Sequence, residues 1–139
     1  MYYLVYISTA VKLLDDEDLR AILISSRRKN TARNISGLLL YTEGVFIQLL
    51  EGDKMEVELA YKAIELDRRH KNLILLVNGE HDKRMFPNWS MGYSVANKDL
   101  IDQMTGYVDP KKTGLLTEGQ EHPALIVLRT FAENNNISV

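Results

Sequence analysis

Residues 35–51 read ISGLLLYTEGVFIQLLE, two apolar runs (35–42 and 45–51) parted by Glu43-Gly44. Each run is short, bulky and bounded by a turn signal, so each reads as a strand. The two-residue break fits a tight hairpin, because glycine readily takes the positive φ such turns need. Neither run alternates apolar with polar residues. A strand that is apolar on both sides needs cover on both sheet faces. The rest of the chain must therefore supply a layer above and a layer below.

Upstream, YYLVYIST (2–9) is a first strand, rich in β-branched and aromatic residues. Asp15 then caps a helix, Asp16, Glu17 and Asp18 fill its first turn, and Leu19, Ile22, Leu23 and Ser26 share a face. This helix is expected to run out near Arg28–Asn30. Downstream, Asp53 opens a second helix with Glu56 as capping-box partner and Val57, Ala60, Tyr61 and Ile64 at helical spacing. Asp67-Arg68-Arg69-His70 closes it. LILLV (73–77) reads as a fourth strand and WSMGYSV (89–95) as a shorter fifth. The order β-α-β-β-α-β-β predicts an α+β, ferredoxin-like domain: a five-stranded mixed sheet with two helices on one face. The other face needs the C-terminal tail or another subunit. After a polar stretch at roughly 97–122 comes PALIVLRTFAENNN (123–136). Pro123 suits a first helical turn, and Ala124, Val127, Leu128 and Phe131 share a face, so a helical extension is expected; the β-branched content leaves a strand open. The expected division is a domain over 1–96, then a linker and helical extension over 97–139 packing on the sheet or on a partner.

The 139 residues suit one domain with a real core. With no cysteine, disulfides, thiolate metal sites and cysteine nucleophiles are excluded together, which suits a reducing cytoplasm. A net charge of -2 gives no electrostatic footprint for nucleic acid, and no run approaches a membrane span or a signal peptide. The three histidines (70, 81, 122) have no ligand spacing, and no metal site is expected.

Gln48 is the most informative residue, a primary amide inside the core-type run VFIQLL. Buried without partners, it would cost about 1–3 kcal/mol. In the expected sheet the first and third strands are adjacent, central and parallel. If Tyr6 and Gln48 both face the helices, the phenol reaches the amide. The pair either pins strand register or lines a pocket between the helices, walled by Ile22 and Ile64 and suited to a flat aromatic ligand. Asn30 is either a left-handed helix cap or an amide offered to an imide edge. Asp67, Arg69 and His70 have a plain reading as a solvated helix end, and Trp89 and Met91 as core fill.

Five segments together resemble the BLUF family, which senses blue light with a bound flavin: LVYIS, SRRKNTARNISGLLLY, GVFIQLLEG, AIELDRRH and RMFPNWSMGY. The resemblance runs from the first strand to about Val95 and is of the short, stand-alone type. It implies that Tyr6 is the photoactive tyrosine and Gln48 the switching glutamine. It implies that Asn30 bonds the imide edge of the flavin, that Asp67 and Arg69 lie near the pyrimidine end, and that Ile22 and Ile64 sandwich the ring. Ser26 and His70 would help line the pocket, and Trp89 and Met91 would relay the change outward. The implied cofactor is FAD, with FMN or riboflavin as alternatives. Arg27, Arg28 and Lys29 either meet its phosphate tail or sit in solvent.

The implied function is a photoreceptor without enzymatic output, signalling through an unidentified protein partner or a change of homo-oligomeric state. An acylphosphatase-like enzyme on the same fold fits poorly, because the loop TAVKLLDD lacks the glycine and arginine that would cradle phosphate. A regulatory or oligomerising ferredoxin-like module without flavin is the remaining alternative.

Overall fold

The computed structural model describes residues 1–87, 90–91 and 122–134. In chain order the elements are β1 (Tyr2–Ala10), α1 (Asp16–Ala32), β2 (Ser36–Thr42), β3 (Val45–Gly52), α2 (Lys54–Glu65), β4 (His70–Glu80), β5 (Ser90–Met91) and α3 (Pro123–Asn134). The hairpin forms as its sequence suggests. Glu43 and Gly44 both take positive φ, 46° and 86°, as a two-residue turn of the I′ kind demands.

The strand order is β4-β1-β3-β2-β5, the ferredoxin-like arrangement with β1 and β3 at the centre. Their direction corrects the expectation: they are antiparallel, not parallel. β1 and β2 run the same way because α1 carries the chain back between them. The hairpin then turns β3 round, and β3 slots between the two, antiparallel to both. The mixed character comes from β5, which pairs parallel with β2. Four strands carry the sheet. The fifth has two described residues rather than seven, and Trp89 lies outside the described residues.

Two cores sandwich the sheet. On one face Leu4, Tyr6, Phe46 and Leu50 pack under Leu19, Ile22 and Leu23 of α1 and Val57 and Ala60 of α2. On the other, Val5, Leu38, Leu40, Ile47 and Leu49 pack against Ala124, Leu125, Leu128 and Phe131 of α3. The tail residues thus form a helix, and that helix covers the second face. β4 departs from the two-sided pattern: at the sheet edge Ile74 is 57%, Leu75 43% and Leu76 42% exposed.

The caps are partly as read. Asp15 accepts from the Asp18 amide and Asp53 from those of Met55 and Glu56. Glu56, however, pairs with Arg33 at 3.3 Å instead of completing a capping box. α1 runs to Ala32, beyond the expected end. The left-handed residue is Asn34, φ 56°, so Asn30 is not the cap. α2 ends at Glu65, and His70 opens β4. No helix among the described residues is long and apolar enough to cross a membrane.

Candidate functional site

The register of β1 and β3 places Tyr6 directly opposite Gln48. By the period of two, both side chains rise on the helical face. The Tyr6 hydroxyl donates to Gln48 Oε1 at 2.5 Å, and both residues are buried. Burial pushes the phenol far above the ordinary tyrosine range, and Tyr61 and Asp67 push the same way. Tyr6 therefore keeps its proton and is the donor of the pair.

A cleft opens above this pair, between α1 and α2. Ile22, Ser26 and Asn30 of α1 form one side, Ala60 and Ile64 of α2 the other, and Leu39, Phe46 and Gln48 the floor. The cleft is open at its mouth and combines apolar walls with a few polar groups, the pattern of small-molecule sites. Each pocket residue expected from the sequence lies here: Tyr6, Ile22, Ser26, Asn30, Gln48, Ile64, Asp67, Arg69 and His70 all line the cleft. Trp89 is not described, and Met91 is placed only by its backbone, opposite Leu39 of β2.

His70 ties three elements together. Its Nε2 lies 2.7 Å from the Ile64 carbonyl, which can only accept, so Nε2 carries the proton. In the neutral ring Nδ1 then accepts from the Ser8 hydroxyl at 2.8 Å. β1, the last turn of α2 and the start of β4 are locked to one another at the cleft wall. At the mouth, Asp67 and Arg69 bond each other, with Arg69 Nη2 donating to Asp67 Oδ2 at 2.6 Å. That bond holds the Asp67 carboxyl below the usual carboxylate range.

Sequence reasoning missed Phe46, Leu39, Ser25, Ala60, Ala63 and Arg33 as lining residues, and left Lys29 either at a phosphate tail or in solvent. Lys29 is exposed and still lines the mouth. The floor residues carry no polar signal and look like any core position. Arg33 lies beyond the expected end of α1, so its place at the rim follows only from the extra helical turn.

The donor set fits a flat heteroaromatic ring with an imide edge. The walls are aliphatic and aromatic, while Gln48 and Asn30 offer two carboxamides. Asn30 is buried and lines the cleft. A carboxamide in a cleft wall offers a donor and an acceptor to a ligand that supplies their complements.

These features define a small α+β module with a ligand-binding cleft between its two helices. Residues 1–92 match the family model BLUF, described as sensors of blue-light using FAD. The chain belongs to the BLUF family. Similar proteins include the photoactivated adenylate cyclase subunit beta of Euglena gracilis, 35% identical over 89 residues, covering 63% of this chain and 10% of that protein. The blue light- and temperature-regulated antirepressor BluF of Escherichia coli (strain K12) is 31% identical over 120 residues, covering 84% of this chain and 30% of that protein. Among solved structures, the photo-activated state of BlsA superposes with a TM-score of 0.65 at 27% identity, covering 99% of this chain and 96% of that one. The chain thus spans a tenth and under a third of those two relatives. The function of the domain is blue-light sensing through a bound flavin.

Proposed function

We propose that Tyr6 and Gln48 form the light-responsive pair of this photoreceptor, and that the hydrogen bond between them carries the switch. A bound flavin supplies the blue-light absorption and an electron-accepting excited state. Tyr6 is the buried phenol within reach to give up an electron. Once oxidised, a phenol is strongly acidic, and its proton already points at Gln48 Oε1. The Gln48 side chain has opposite hydrogen-bonding character at its two ends. Rotation or tautomerisation of that amide exchanges a donor for an acceptor on the pocket side without moving β3. Asn30 is assigned the imide edge, Ile22 and Ile64 the two ring faces, Ser26 and His70 the walls, and Asp67 and Arg69 the pyrimidine end.

FAD is the proposed flavin, with FMN or riboflavin as alternatives, and Lys29 and Arg33 at the mouth suit a phosphate-bearing tail. Trp89 and Met91 are assigned the outward relay. The backbone pairing of Met91 with Leu39, itself a floor residue, supports that route. We take residues 1–96 as the sensory unit and 97–139 as its helical extension, working in the cytoplasm without catalysis of its own. The output is then a protein–protein interaction or a change of oligomeric state, with no direct nucleic-acid or membrane contact. With α3 on the second sheet face, self-association rests on another surface, and the exposed aliphatic side chains of the β4 edge support it.

The test is an absorption spectrum of purified protein before and after blue light. Wild type is expected to be yellow and to show a small, thermally reversible red shift. Tyr6→Phe is expected to retain flavin and lose the shift. A normal photocycle in that variant would remove Tyr6 from the mechanism.

A further inference from the structure

On the sheet face away from the cleft, three titratable side chains from distant parts of the chain meet where α3 begins. Glu51 of β3 is fully buried; its Oε1 accepts from the Met85 amide at 2.8 Å and its Oε2 from the Phe86 amide at 2.6 Å. His81, just after β4, places Nε2 3.4 Å from Glu51 Oε1 and Nδ1 3.3 Å from His122 Nε2. His122 precedes Pro123 and caps α3, with Nδ1 3.1 Å from the Ala124 amide. The Tyr3 ring of β1 lies 4.9 Å from that of His81 and 4.7 Å from that of His122. The other charged groups acting on His81 are the Met1 amino group, Asp82 and Arg84; Glu51 acts on His122.

Proton placement follows from the donor that cannot change. The Ala124 N–H only donates, so His122 Nδ1 holds a lone pair and the proton of the neutral ring sits on Nε2. That proton faces His81 Nδ1, which must accept, so His81 carries its own proton on Nε2. The order suits two neutral rings. An added proton lands either on His122 Nδ1, against the Ala124 amide, or on His81 Nδ1, against the His122 N–H. Burial pushes both imidazoles below the ordinary value of 6.5, in keeping with this. The neutral His81 makes no ion pair with Glu51. Its Nε2 is the one buried side-chain nitrogen without a hydrogen-bond partner among the described residues, because the approach to the carboxylate is off-line.

We propose that His81 and His122, lodged against Glu51, form a proton-sensitive latch that seats α3 on the sheet at neutral pH and releases it in mild acid. A histidine held below its free value stabilises the seated state fully above that value, and the contribution is lost as pH falls below it. One pH unit below 6.5, each ring that gains a proton on release favours release by up to about tenfold.

Hydrogen–deuterium exchange on the full, flavin-loaded chain tests this, comparing the 122–134 peptide at pH 7.5 and 5.5 after correction for intrinsic rates. Wild type is expected to lose protection in α3 at the lower pH, by up to about tenfold for each ring that gains a proton, with β1 and β3 unchanged. His122→Asn keeps a capping acceptor that does not titrate and is expected to shrink the effect; adding His81→Gln is expected to abolish it. Equal wild-type protection at both pH values overturns the latch, as does a doubly substituted chain that loses as much as wild type. Flavin absorbance of the same samples reports the cleft separately, so failure here is distinct from failure of the photochemical reading.

Discussion

Gln48 shows what a single side chain discloses. An amide inside VFIQLL is out of place in a core, and that misfit led to Tyr6, its neighbour across two central strands. Asn30 carried a weaker signal of the same kind, legible only once the fold buried it in the cleft wall. Glu51 carried none, because an acid at the end of a strand ordinarily points to solvent. The Tyr6–Gln48 bond also has a measurable energetic signature. Gln48→Leu strands the phenol without an acceptor, which costs about 1–3 kcal/mol of stability in the flavin-free protein. Tyr6→Phe added to Gln48→Leu removes both polar partners, and most of that loss is expected to return. Urea unfolding of the two single variants and the double one checks this; strictly additive losses would show that the bond is not made.

The hairpin, both helices flanking it and α3 were readable because hydrophobic period and capping residues agree within each. What escaped was set by neighbours. The direction of β3 relative to β1 depends on how the chain crosses over, which no local pattern records. β4 extends beyond LILLV to His70 and Glu80 because β1 offers it backbone partners along its whole length, bulges included. The polar flanks Lys71, Asn72 and Asn78 gave no strand signal of their own. The hairpin turn is the weak joint among these elements. Glu43 holds φ at 46°, a region that a residue with a Cβ enters at a cost, whereas asparagine tolerates it. Glu43→Asn is expected to raise stability by about 0.5 kcal/mol, read as a higher urea midpoint at unchanged slope. An unchanged or lower midpoint would mean that the Glu43 side chain compensates through contacts of its own.

The molecule as a whole is a sheet read from two sides, with the cleft and its two helices on one face and α3 on the other. The cluster of Glu51, His81 and His122 was invisible in the sequence, since only the docking of α3 brings its members together. The cleft face couples the stability of the whole fold to its ligand. FAD at a hundred times its dissociation constant is expected to stabilise the fold by about 2.7 kcal/mol, seen as a melting temperature that climbs with FAD concentration. A melting temperature indifferent to added FAD would count against tight binding in the cleft.

Tyr6 and Gln48 stand on the two innermost strands, locked in register along nearly the full length of both. Such positions are among the last to open in a fold, so their spacing is set before any ring arrives. Uptake of the chromophore is then an insertion event, not a folding event. Stripped protein should accept synthetic isoalloxazine analogues without being unfolded first, which makes the colour of this sensor exchangeable.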